Sequence, residues 1–310
     1  MKVCIVGPGA IGMLFGSLLM KAGNEVIFLD HNSERADFIK KEGITLETKD
    51  KTYHFSPQIT THLEDIKETD LFILCVKSYD TKTTVNSLKS VLAQKALILT
   101  LQNGIGNIEI ISEIVGAERV IGGVTSHGAT VVKVGHVRHA GIGETIIGRI
   151  DGRIPVYLKD IRDMLNQAKI ITRISKDIKS LLWSKLIINV GINALTAITR
   201  LNNARLIEFE GTRNILRLAV SEAVKVAKRK RIKLIYDDAI EKTEAVCEAT
   251  AENISSMLQD VLRKKRTEID FINGAIVRQG QSLGIPTPVN NLLTDLVKTI
   301  EASYDVALKE

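Results

Sequence analysis

The sequence predicts an α/β fold for the first part of the chain and an all-α fold for the second. Two observations carry this prediction: short β-branched runs alternate with helix-like segments as far as residue 125, and helical periodicity is nearly continuous from Asp177 onward. The chain has 310 residues, of which 45% are apolar and 25% charged, so it is long enough for two domains with separate cores. We place the boundary after residue 176, which gives domains of residues 1–176 and 177–310.

The first domain opens with the alternation expected of a parallel sheet with crossover helices. Its predicted strands are KVCIVG, EVIFLD, LFILCV, ALILTL and VIGGV. Residues 126–150 change to Gly-punctuated alternating segments, which predict an antiparallel hairpin or meander that closes the sheet. A further helix and strand precede the boundary.

The second domain is predicted to be helical throughout. Gly284, Pro286 and Pro288 act as breakers near its end. The predicted helices are 177–200, 204–231, 236–257, 266–283 and 289–308.

The charge of the chain does not indicate a nucleic-acid-binding protein. The net charge of +6 favours anionic ligands, but metabolite phosphates and carboxylates satisfy it as well as nucleic acid does. The basic run KRKRIK, residues 228–233, lacks interleaved aromatic residues and falls at a predicted helix end, so we expect no nucleic-acid partner.

Cysteine usage and hydropathy indicate a cytoplasmic protein. Cys4, Cys75 and Cys247 form no CxxC motif and no cluster with histidines, so neither a disulfide framework nor a metal site is expected. No export signal is visible at the N-terminus. The longest apolar run, residues 186–198, is shorter than the ~20 residues that cross a bilayer, so no membrane span is expected.

A Gly-rich turn follows the first predicted strand. In GPGAIG, Gly7 allows a tight turn, Gly9 lets a pyrophosphate approach the backbone, and Gly12 lets the helix pack on the strand. Pro8 stiffens the turn, and the N–H groups of the helix start, which includes Ala10 and Ile11, suit an anion. The strand, turn and helix context predicts dinucleotide binding.

An acidic residue ends the second strand. Asp30 follows the Gly-rich turn at about the 20-residue distance at which a carboxylate binds a ribose diol. Because Asp30 repels a 2′-phosphate, it favours NADH over NADPH, whereas His31 and Arg35 would weaken that repulsion. A solvated strand end is the alternative role for Asp30.

Two further strand ends carry candidates, because ligands of open parallel sheets bind beyond the carboxyl ends of the strands. Lys77 follows LFILCV, and Gln102, Asn103 and Gly104 follow ALILTL. Asn103 would contact cofactor or substrate. The alternatives are a left-handed turn residue for Asn103 and a surface lysine for Lys77.

The helix SLLWSKLIINVGINALTA contains three polar residues in an apolar setting. At about 100° per residue, Lys185, Asn189 and Asn193 form one stripe about 12 Å long. A helix that is apolar almost all round is buried, so the stripe predicts a ligand-facing surface. Lys185 is the candidate proton donor to an alkoxide, and the asparagines would orient a substrate. An interdomain hydrogen-bond seam is the alternative.

These motifs resemble the ketopantoate reductase (2-dehydropantoate 2-reductase) family. The resemblance is carried by GPGAIG, QNG, WSKLIINVGINALTA, SSMLQD and TEIDFINGAIV, in that order, from Met1 to about Asn291. It implies reduction of 2-dehydropantoate to (R)-pantoate by a nicotinamide cofactor, in pantothenate and coenzyme A biosynthesis. A small-molecule partner is therefore expected, and a homodimer is left open.

The resemblance also assigns residue roles. It implies that Lys185 and Glu268 are catalytic, and that Glu268 also contacts the cofactor. The implied substrate residues are Asn189, Asn193, Asn203 and Ser256. It implies cofactor contacts for Asn103 and Ala129, which join the candidates from the turn and the strand ends: Gly7, Pro8, Gly9, Ala10, Ile11, Gly12, Asp30 and Lys77. The family commonly has an arginine near the end of the second strand, where LDHNSER offers Asp30 first, so NADPH and NADH both remain candidates.

One geometric expectation follows. A continuous helix would place Glu268 about 18 Å and about 120° from Ser256, too far for both to contact one small substrate. We therefore predict a break between Asp260 and Thr267. Two other functions are kept open: a dehydrogenase for another small 2-keto or hydroxy acid, and a non-catalytic dinucleotide sensor.

Overall fold

The computed structural model describes residues 1–306, which form two compact units. The first unit comprises residues 1–102 and 107–178, and the second comprises residues 103–106 together with the chain from Lys179 onward. The boundary placed after residue 176 lies close to the passage from Ile178 to Lys179. The short segment 103–106 is the one part of the first half of the chain that packs in the second unit.

The first unit is built from twelve strands and five helices. The strands are β1 (Val3–Val6), β2 (Val26–Leu29), β3 (Ile44–Glu47), β4 (Thr52–Phe55), β5 (Gln58–Thr60), β6 (Leu71–Leu74), β7 (Leu97–Thr100), β8 (Val120–Thr125), β9 (Gly128–Lys133), β10 (His136–Gly141), β11 (Thr145–Gly148) and β12 (Thr172–Ile174). The helices are α1 (Ala10–Lys21), α2 (Ser33–Glu42), α3 (Thr81–Leu88), α4 (Asn107–Val115) and α5 (Val156–Gln167).

Eight of these strands form one sheet, in the order β12-β11-β8-β7-β6-β1-β2-β5. The six strands from β8 to β5 are all parallel and have the strand order of a doubly wound dinucleotide-binding fold. The five strands predicted from the sequence, β1, β2, β6, β7 and β8, are confirmed. Strands β1, β2 and β6 are buried along their whole length, as expected for the centre of a sheet that is covered on both faces.

A second, four-stranded sheet has the order β4-β3-β10-β9 and packs on α1. The hairpin predicted within residues 126–150 is confirmed as β9 and β10. The prediction that residues 126–150 close the main sheet is confirmed in part. Strand β11 extends the main sheet antiparallel to β8, whereas β10 pairs in parallel with β3 in the second sheet and buries Val137 beside Leu46.

The second unit is helical. Its helices are α6 (Ile178–Thr199, whose first residue is the last of the first unit), α7 (Arg205–Glu208), α8 (Glu210–Arg229), α9 (Ala239–Ala249), α10 (Ser256–Leu262), α11 (Asn273–Leu283) and α12 (Pro288–Ala302). The predicted helix 204–231 is divided at Phe209, which is extended. The predicted helix 236–257 was too long, since α9 ends at Ala249 and Ser255 caps a separate helix. The basic run 228–233 does fall at the end of α8.

The predicted break between Asp260 and Thr267 is confirmed. Helix α10 ends at Leu262, and Lys264 adopts a left-handed conformation with φ 52°. The chain then forms a 3-10 turn at Ile269–Phe271 and begins α11 at Asn273, because Ile272 (φ −111°, ψ −96°) is not helical. The predicted helix 266–283 is therefore shorter than expected, and Glu268 lies in the connection that precedes it.

Helix α6 contributes many side chains to the core of the second unit. By length and composition alone it could cross a bilayer, but 67% of its most apolar 18-residue window is buried within the protein, as in a core helix. At Gly191 an added Cβ would lie 2.8 Å from Val220 Cγ2 and 2.9 Å from Thr243 Cγ2. The helix is thus packed directly against α8 and α9 on that side.

Candidate active site

The Gly-rich turn connects β1 to α1. Gly7 has φ 93°, and a Cβ there would lie 2.8 Å from Val76 Cγ1; a Cβ at Gly12 would lie 2.2 Å from the Gly7 carbonyl oxygen. Larger residues at either position would therefore force the backbone to move. Pro8, between Gly7 and Gly9, is buried. The turn is held by hydrogen bonds from Gly7 N to Leu29 O and from Gly9 N to Gly7 O.

Gly9 differs from the other two glycines. Its φ of −79° is open to any residue, and an added Cβ would meet no atom of the described chain within 4 Å. It precedes Ala10 and Ile11 in the first turn of α1, where no side chain caps the backbone N–H groups. Open space above an uncapped helix N-terminus fits a pyrophosphate, because the N–H groups and the helix dipole both favour an anion.

Asp30, at the end of β2, is held by Arg35 from α2. The guanidinium donates from Nε to Oδ2 at 2.6 Å and from Nη2 to Oδ1 at 2.5 Å. Asn32 N donates to Oδ1 at 3.0 Å, and His31 Nδ1 lies 3.7 Å from the same oxygen. The alternative reading of Asp30 as a solvated strand end is wrong, because its side chain is fully buried.

The ends of β6 and β7 are joined by a buried polar cluster. Gln102 Nε2 donates to Val76 O and to Thr81 Oγ1, both at 2.8 Å, and Asn107 Nδ2 donates to Ser78 Oγ at 3.1 Å. Gln102 therefore fixes the two strand ends rather than facing a ligand. Lys77 lies in this connection, is partly buried, and precedes the 3-10 turn Ser78–Asp80.

Asn103 and Gly104 pack in the second unit. The left-handed residue of this turn is Gly104 (φ 82°), so the alternative role of Asn103 as the left-handed residue is wrong. A Cβ at Gly104 would lie 2.4 Å from Phe271 O, and the same carbonyl accepts a hydrogen bond from Ile105 N at 3.2 Å. The asparagine turn is thereby fastened to the 3-10 turn that follows Glu268.

Ala129 lies on β9, opposite His139 on β10, and is partly buried. Beside it His127 Nδ1 is 3.0 Å from His139 Nε2, so one of the two neutral rings donates to the other. Burial, together with the neighbouring His139, lowers the pKa of His127 to about 4. Burial lowers the pKa of His139 as well, so both rings favour the neutral form near neutral pH.

The predicted polar stripe lies on α6. Lys185 and Asn189 belong to its less buried face, with Leu181, Leu182 and Ile188, whereas Asn193 is buried one turn farther on. The remaining positions pack into the core of the second unit through Trp183, Leu186, Ile187 and Val190. The stripe therefore begins on the partly buried face of α6 and ends in the interior.

Lys185 has a shifted proton affinity. Burial lowers the pKa of its ammonium group to about 8, while the charge of Glu268 acts to raise it. Glu268 is itself buried at the end of the α10–α11 connection. A cation whose pKa lies near physiological pH can give up its proton to a reacting oxygen and regain it from solvent. The structure therefore brings both predicted catalytic residues into one electrostatic pair.

The other two predicted substrate residues have different surroundings. Ser256 is exposed at the first position of α10. The cap of this helix is Ser255, so the alternative role of Ser256 as the cap is wrong. Asn203 is buried and donates from Nδ2 to Thr250 Oγ1 at 2.8 Å, while its Oδ1 accepts no hydrogen bond from the described residues.

Sequence reasoning missed three residues that hold this surface together. Thr196 Oγ1 lies 2.6 Å from Ser255 Oγ and donates to Asn193 O, so it joins α6 to the start of α10. Asn273 joins α6 to the start of α11. Thr196 lies in GINALTA, Ser255 precedes Ser256, and Asn273 lies in TEIDFINGAIV, but their residue types alone do not indicate these contacts.

Known proteins are similar to this chain over nearly its whole length. The family models for "Ketopantoate reductase PanE/ApbA" and its C-terminal part match residues 3–152 and 177–301. The 2-dehydropantoate 2-reductase of Halobacterium salinarum is 35% identical over 299 residues, which are 96% of this chain and 98% of that protein.

Solved structures agree. A crystal structure of a PanE/ApbA family ketopantoate reductase from Ralstonia eutropha JMP134 superposes with a TM-score of 0.91 at 35% identity, covering 98% of this chain and 99% of that one. A ternary structure of D-mandelate dehydrogenase with NADH and anilino(oxo)acetate reaches 0.91 at 29% identity, covering 99% of this chain and 100% of that one. With both family models matched in a chain that carries the Gly-rich turn and the lysine helix, the protein belongs to the ketopantoate reductase family.

Proposed function

We propose that the protein reduces 2-dehydropantoate to (R)-pantoate with a nicotinamide cofactor. The observation that carries the proposal is Lys185, whose ammonium group has a pKa of about 8 and lies on the same helix face as Asn189, in a chain of this family. The product alcohol enters pantothenate and coenzyme A biosynthesis. The relatives named 2-dehydropantoate 2-reductase support this choice of substrate.

The reaction needs one hydride and one proton. The reduced nicotinamide supplies the hydride to the keto carbon when bound. Lys185 Nζ donates the proton to the carbonyl oxygen as it becomes an alkoxide, and solvent reprotonates the amine. Glu268 keeps the ammonium form of Lys185 populated, because its charge raises the pKa that burial lowers.

Four polar residues are proposed to bind the substrate. Asn189 and Asn193 would orient it along α6, and Ser256 offers an exposed hydroxyl at the start of α10. Asn203 Oδ1 is buried and accepts no hydrogen bond in the described chain, which leaves an acceptor for a substrate hydroxyl. An unsatisfied buried acceptor costs about 1–3 kcal/mol, so a donor from the ligand would be favourable.

The cofactor is proposed to bind with its pyrophosphate above Gly9. The turn from Gly7 to Gly12, with Pro8, Ala10 and Ile11, would supply the backbone N–H groups. Lys77, Asn103, Ala129 and Glu268 are proposed as further contacts. We propose that NADH and NADPH are both accepted, since the Asp30 carboxylate is covered by the guanidinium of Arg35.

A second candidate function is reduction of another 2-keto acid. It is favoured by the superposition on D-mandelate dehydrogenase at a TM-score of 0.91, in a structure solved with NADH. In that reading the lysine helix keeps its role and the substrate residues accept a different side chain.

One experiment separates these functions. Initial rates would be measured on 2-dehydropantoate, phenylglyoxylate and 2-oxobutyrate, each with NADH and with NADPH. Our proposal expects the highest kcat/KM on 2-dehydropantoate. A preference for phenylglyoxylate would select the second function, and cofactor binding without turnover of any keto acid would indicate a non-catalytic dinucleotide sensor.

We also propose that the protein works in the cytoplasm. Cys4, Cys75 and Cys247 are free thiols that form no disulfide. Burial raises the pKa of Cys75 to about 12, which keeps that thiol protonated and unreactive. Free thiols are typical of a reducing compartment.

A further inference from the structure

Four helices of the second unit meet at a buried chain of hydrogen bonds. Asn273, at the start of α11, donates from Nδ2 to Val190 O of α6 at 3.1 Å and to Asn290 Oδ1 of α12 at 3.0 Å. Asn290 Nδ2 in turn donates to Ala219 O at 3.0 Å and to Glu222 Oε2 at 2.7 Å, both on α8. Asn273 and Asn290 have no exposed surface.

The Glu222 carboxylate fixes the direction of donation along this series of hydrogen bonds, because it can only accept. The Glu222 carboxylate accepts from Val289 N at 2.9 Å and from Asn290 N at 3.0 Å, at the N-terminus of α12, where a negative charge is favoured. Asn290 must therefore turn its Nδ2 toward Glu222 and its Oδ1 toward Asn273. Asn273 meets two acceptors, Asn290 Oδ1 and Val190 O, and only its Nδ2 satisfies both.

The orientation of Asn273 has a cost. Its Oδ1 is buried and accepts no hydrogen bond from any residue of the described chain, which costs about 1–3 kcal/mol. A buried group that is left unsatisfied calls for an explanation beyond stability. The two hydrogen bonds that Asn273 Nδ2 donates supply that explanation.

Asn273 ties together the two segments that carry the predicted catalytic pair. It begins α11 one residue after the 3-10 turn Ile269–Phe271, which Glu268 precedes. Its acceptor Val190 follows Asn189 on α6, the helix of Lys185. The hydrogen bonds that Asn273 Nδ2 donates to Val190 O and Asn290 Oδ1 are called the tether. This tether fixes the segment of Glu268 on the helix of Lys185.

We propose that Asn273 is a positioning residue, which, oriented by Asn290 and Glu222, holds the Glu268 carboxylate beside the Lys185 ammonium group. This rests on the function proposed above, in which Lys185 donates the proton. Because Glu268 raises the proton affinity of Lys185, loosening the tether lowers it. Lys185 then loses its proton at a lower pH, and less of the enzyme is in the donating form.

The test compares Asn273→Ala and Asn290→Ala with Glu268→Gln, which removes the charge itself. The control is Thr294→Val, which removes a buried 2.7 Å hydrogen bond to Asn290 O on the same helix and leaves the tether intact. Two quantities are measured from pH 6 to 10: the rate of Lys185 acetylation by acetic anhydride, followed by peptide mass spectrometry, and kcat for keto acid reduction.

We expect the acetylation midpoint of Asn273→Ala to move down by about half a pH unit, toward the value of Glu268→Gln. The midpoint of Asn290→Ala moves in the same direction by less. The kcat of Asn273→Ala falls by about 10- to 100-fold, and the Kd for NADH stays the same. Thr294→Val lowers Tm but leaves both pH profiles at their wild-type positions.

Unchanged acetylation midpoints in both asparagine variants would overturn the proposal, as would a shift of the same size in Thr294→Val. If Asn273→Ala does not fold, Asn290→Ala alone decides. The acetylation profile does not depend on turnover. If the wild-type protein reduced no keto acid, the proposed function would be rejected. The acetylation midpoint of Lys185 would still test the role of Asn273.

Discussion

Arg35 binds the carboxylate of Asp30 with the Nε and Nη2 edge of its guanidinium group. The two hydrogen bonds are 2.6 Å and 2.5 Å long, and the Asp30 side chain has no exposed surface, whereas that of Arg35 is 32% exposed. At the end of β2, the partly exposed Arg35 guanidinium group therefore lies over the buried Asp30 carboxylate. An acidic residue at this position repels a 2′-phosphate only to the extent that the arginine leaves its charge uncompensated.

This pairing predicts opposite effects of two substitutions on cofactor choice. Asp30→Ala leaves Arg35 without its anionic partner and should raise the ratio of kcat/KM for NADPH to that for NADH by about 10-fold. Arg35→Ala uncovers the carboxylate and should lower the same ratio. The measurement is initial rates with each dinucleotide. A ratio that stays at the wild-type value in Asp30→Ala would contradict this role of the residue.

Replacing the proposed proton donor should separate chemistry from binding. Lys185→Ala should lower kcat by about 10²- to 10⁴-fold, the usual contribution of a general acid, and leave the Kd for NADH unchanged. Lys179 is an exposed lysine in the first turn of the same helix and serves as the matched control. Lys179→Ala should leave turnover unaffected. Full turnover by Lys185→Ala would exclude it as the donor.

The pH dependence follows from the same residue. The donor works in its protonated form, so the rate of keto acid reduction should be constant well below pH 8 and fall as the pH rises through about 8, the pKa of Lys185. The reverse oxidation needs the neutral amine and should rise over the same range. In Glu268→Gln the falling limb should move to lower pH, because the charge that raises this pKa is gone. A limb that moves upward would contradict the pairing.

Gly9 should be important for the cofactor and not for the fold. Gly9→Ala introduces no clash with the described chain and no backbone strain, so Tm should stay within about 1–2 °C of wild type. Its methyl group occupies the space above the N-terminus of α1, and the Kd for NADH should rise by at least about 10-fold. Gly12→Ala is the contrast, since its Cβ would clash with Gly7 O and lower Tm. Calorimetry and fluorescence titration give the two quantities.

The adjacent serines before MLQD should behave differently. Ser255 caps α10 by accepting from Leu258 N at 3.1 Å, so Ser255→Ala should lower the free energy of unfolding by about 1 kcal/mol. Ser256 is exposed, so Ser256→Ala should leave stability unchanged and raise KM for the keto acid. Urea unfolding and substrate titration check the two effects. Equal KM values for wild type and Ser256→Ala would remove this residue from the proposed site.

Much of the fold could be predicted because its signals are local. The buried strands β1, β2 and β6 are continuous apolar runs, and α6 shows its polar stripe in the sequence. The pairing of β10 with β3 could not be predicted, since it joins residues about 90 positions apart and depends on which sheet edge is open. Strands β3 to β5 are short and partly exposed, so their pattern was weak.

The site was predictable to a different degree. Residue types that stand out in their surroundings, such as Lys185 in an apolar helix, could be found from sequence. Asn273 and Thr196 could not, because an asparagine or threonine inside a helix is common, and its importance comes from the partner that folding brings to it. The Arg35–Asp30 pair shows the same limit, since proximity in sequence suggested a weak influence and the structure shows a bidentate pair.

The assignment of residues 103–106 to the second unit affects how the chain can be divided in the laboratory. A fragment that ends at Ile178 would contain this turn without Phe271, whose carbonyl accepts from Ile105 N and lies against Gly104. A fragment that begins at Lys179 would lack the turn altogether. The protein therefore has two compact units but no single peptide bond at which cutting would leave both of them complete.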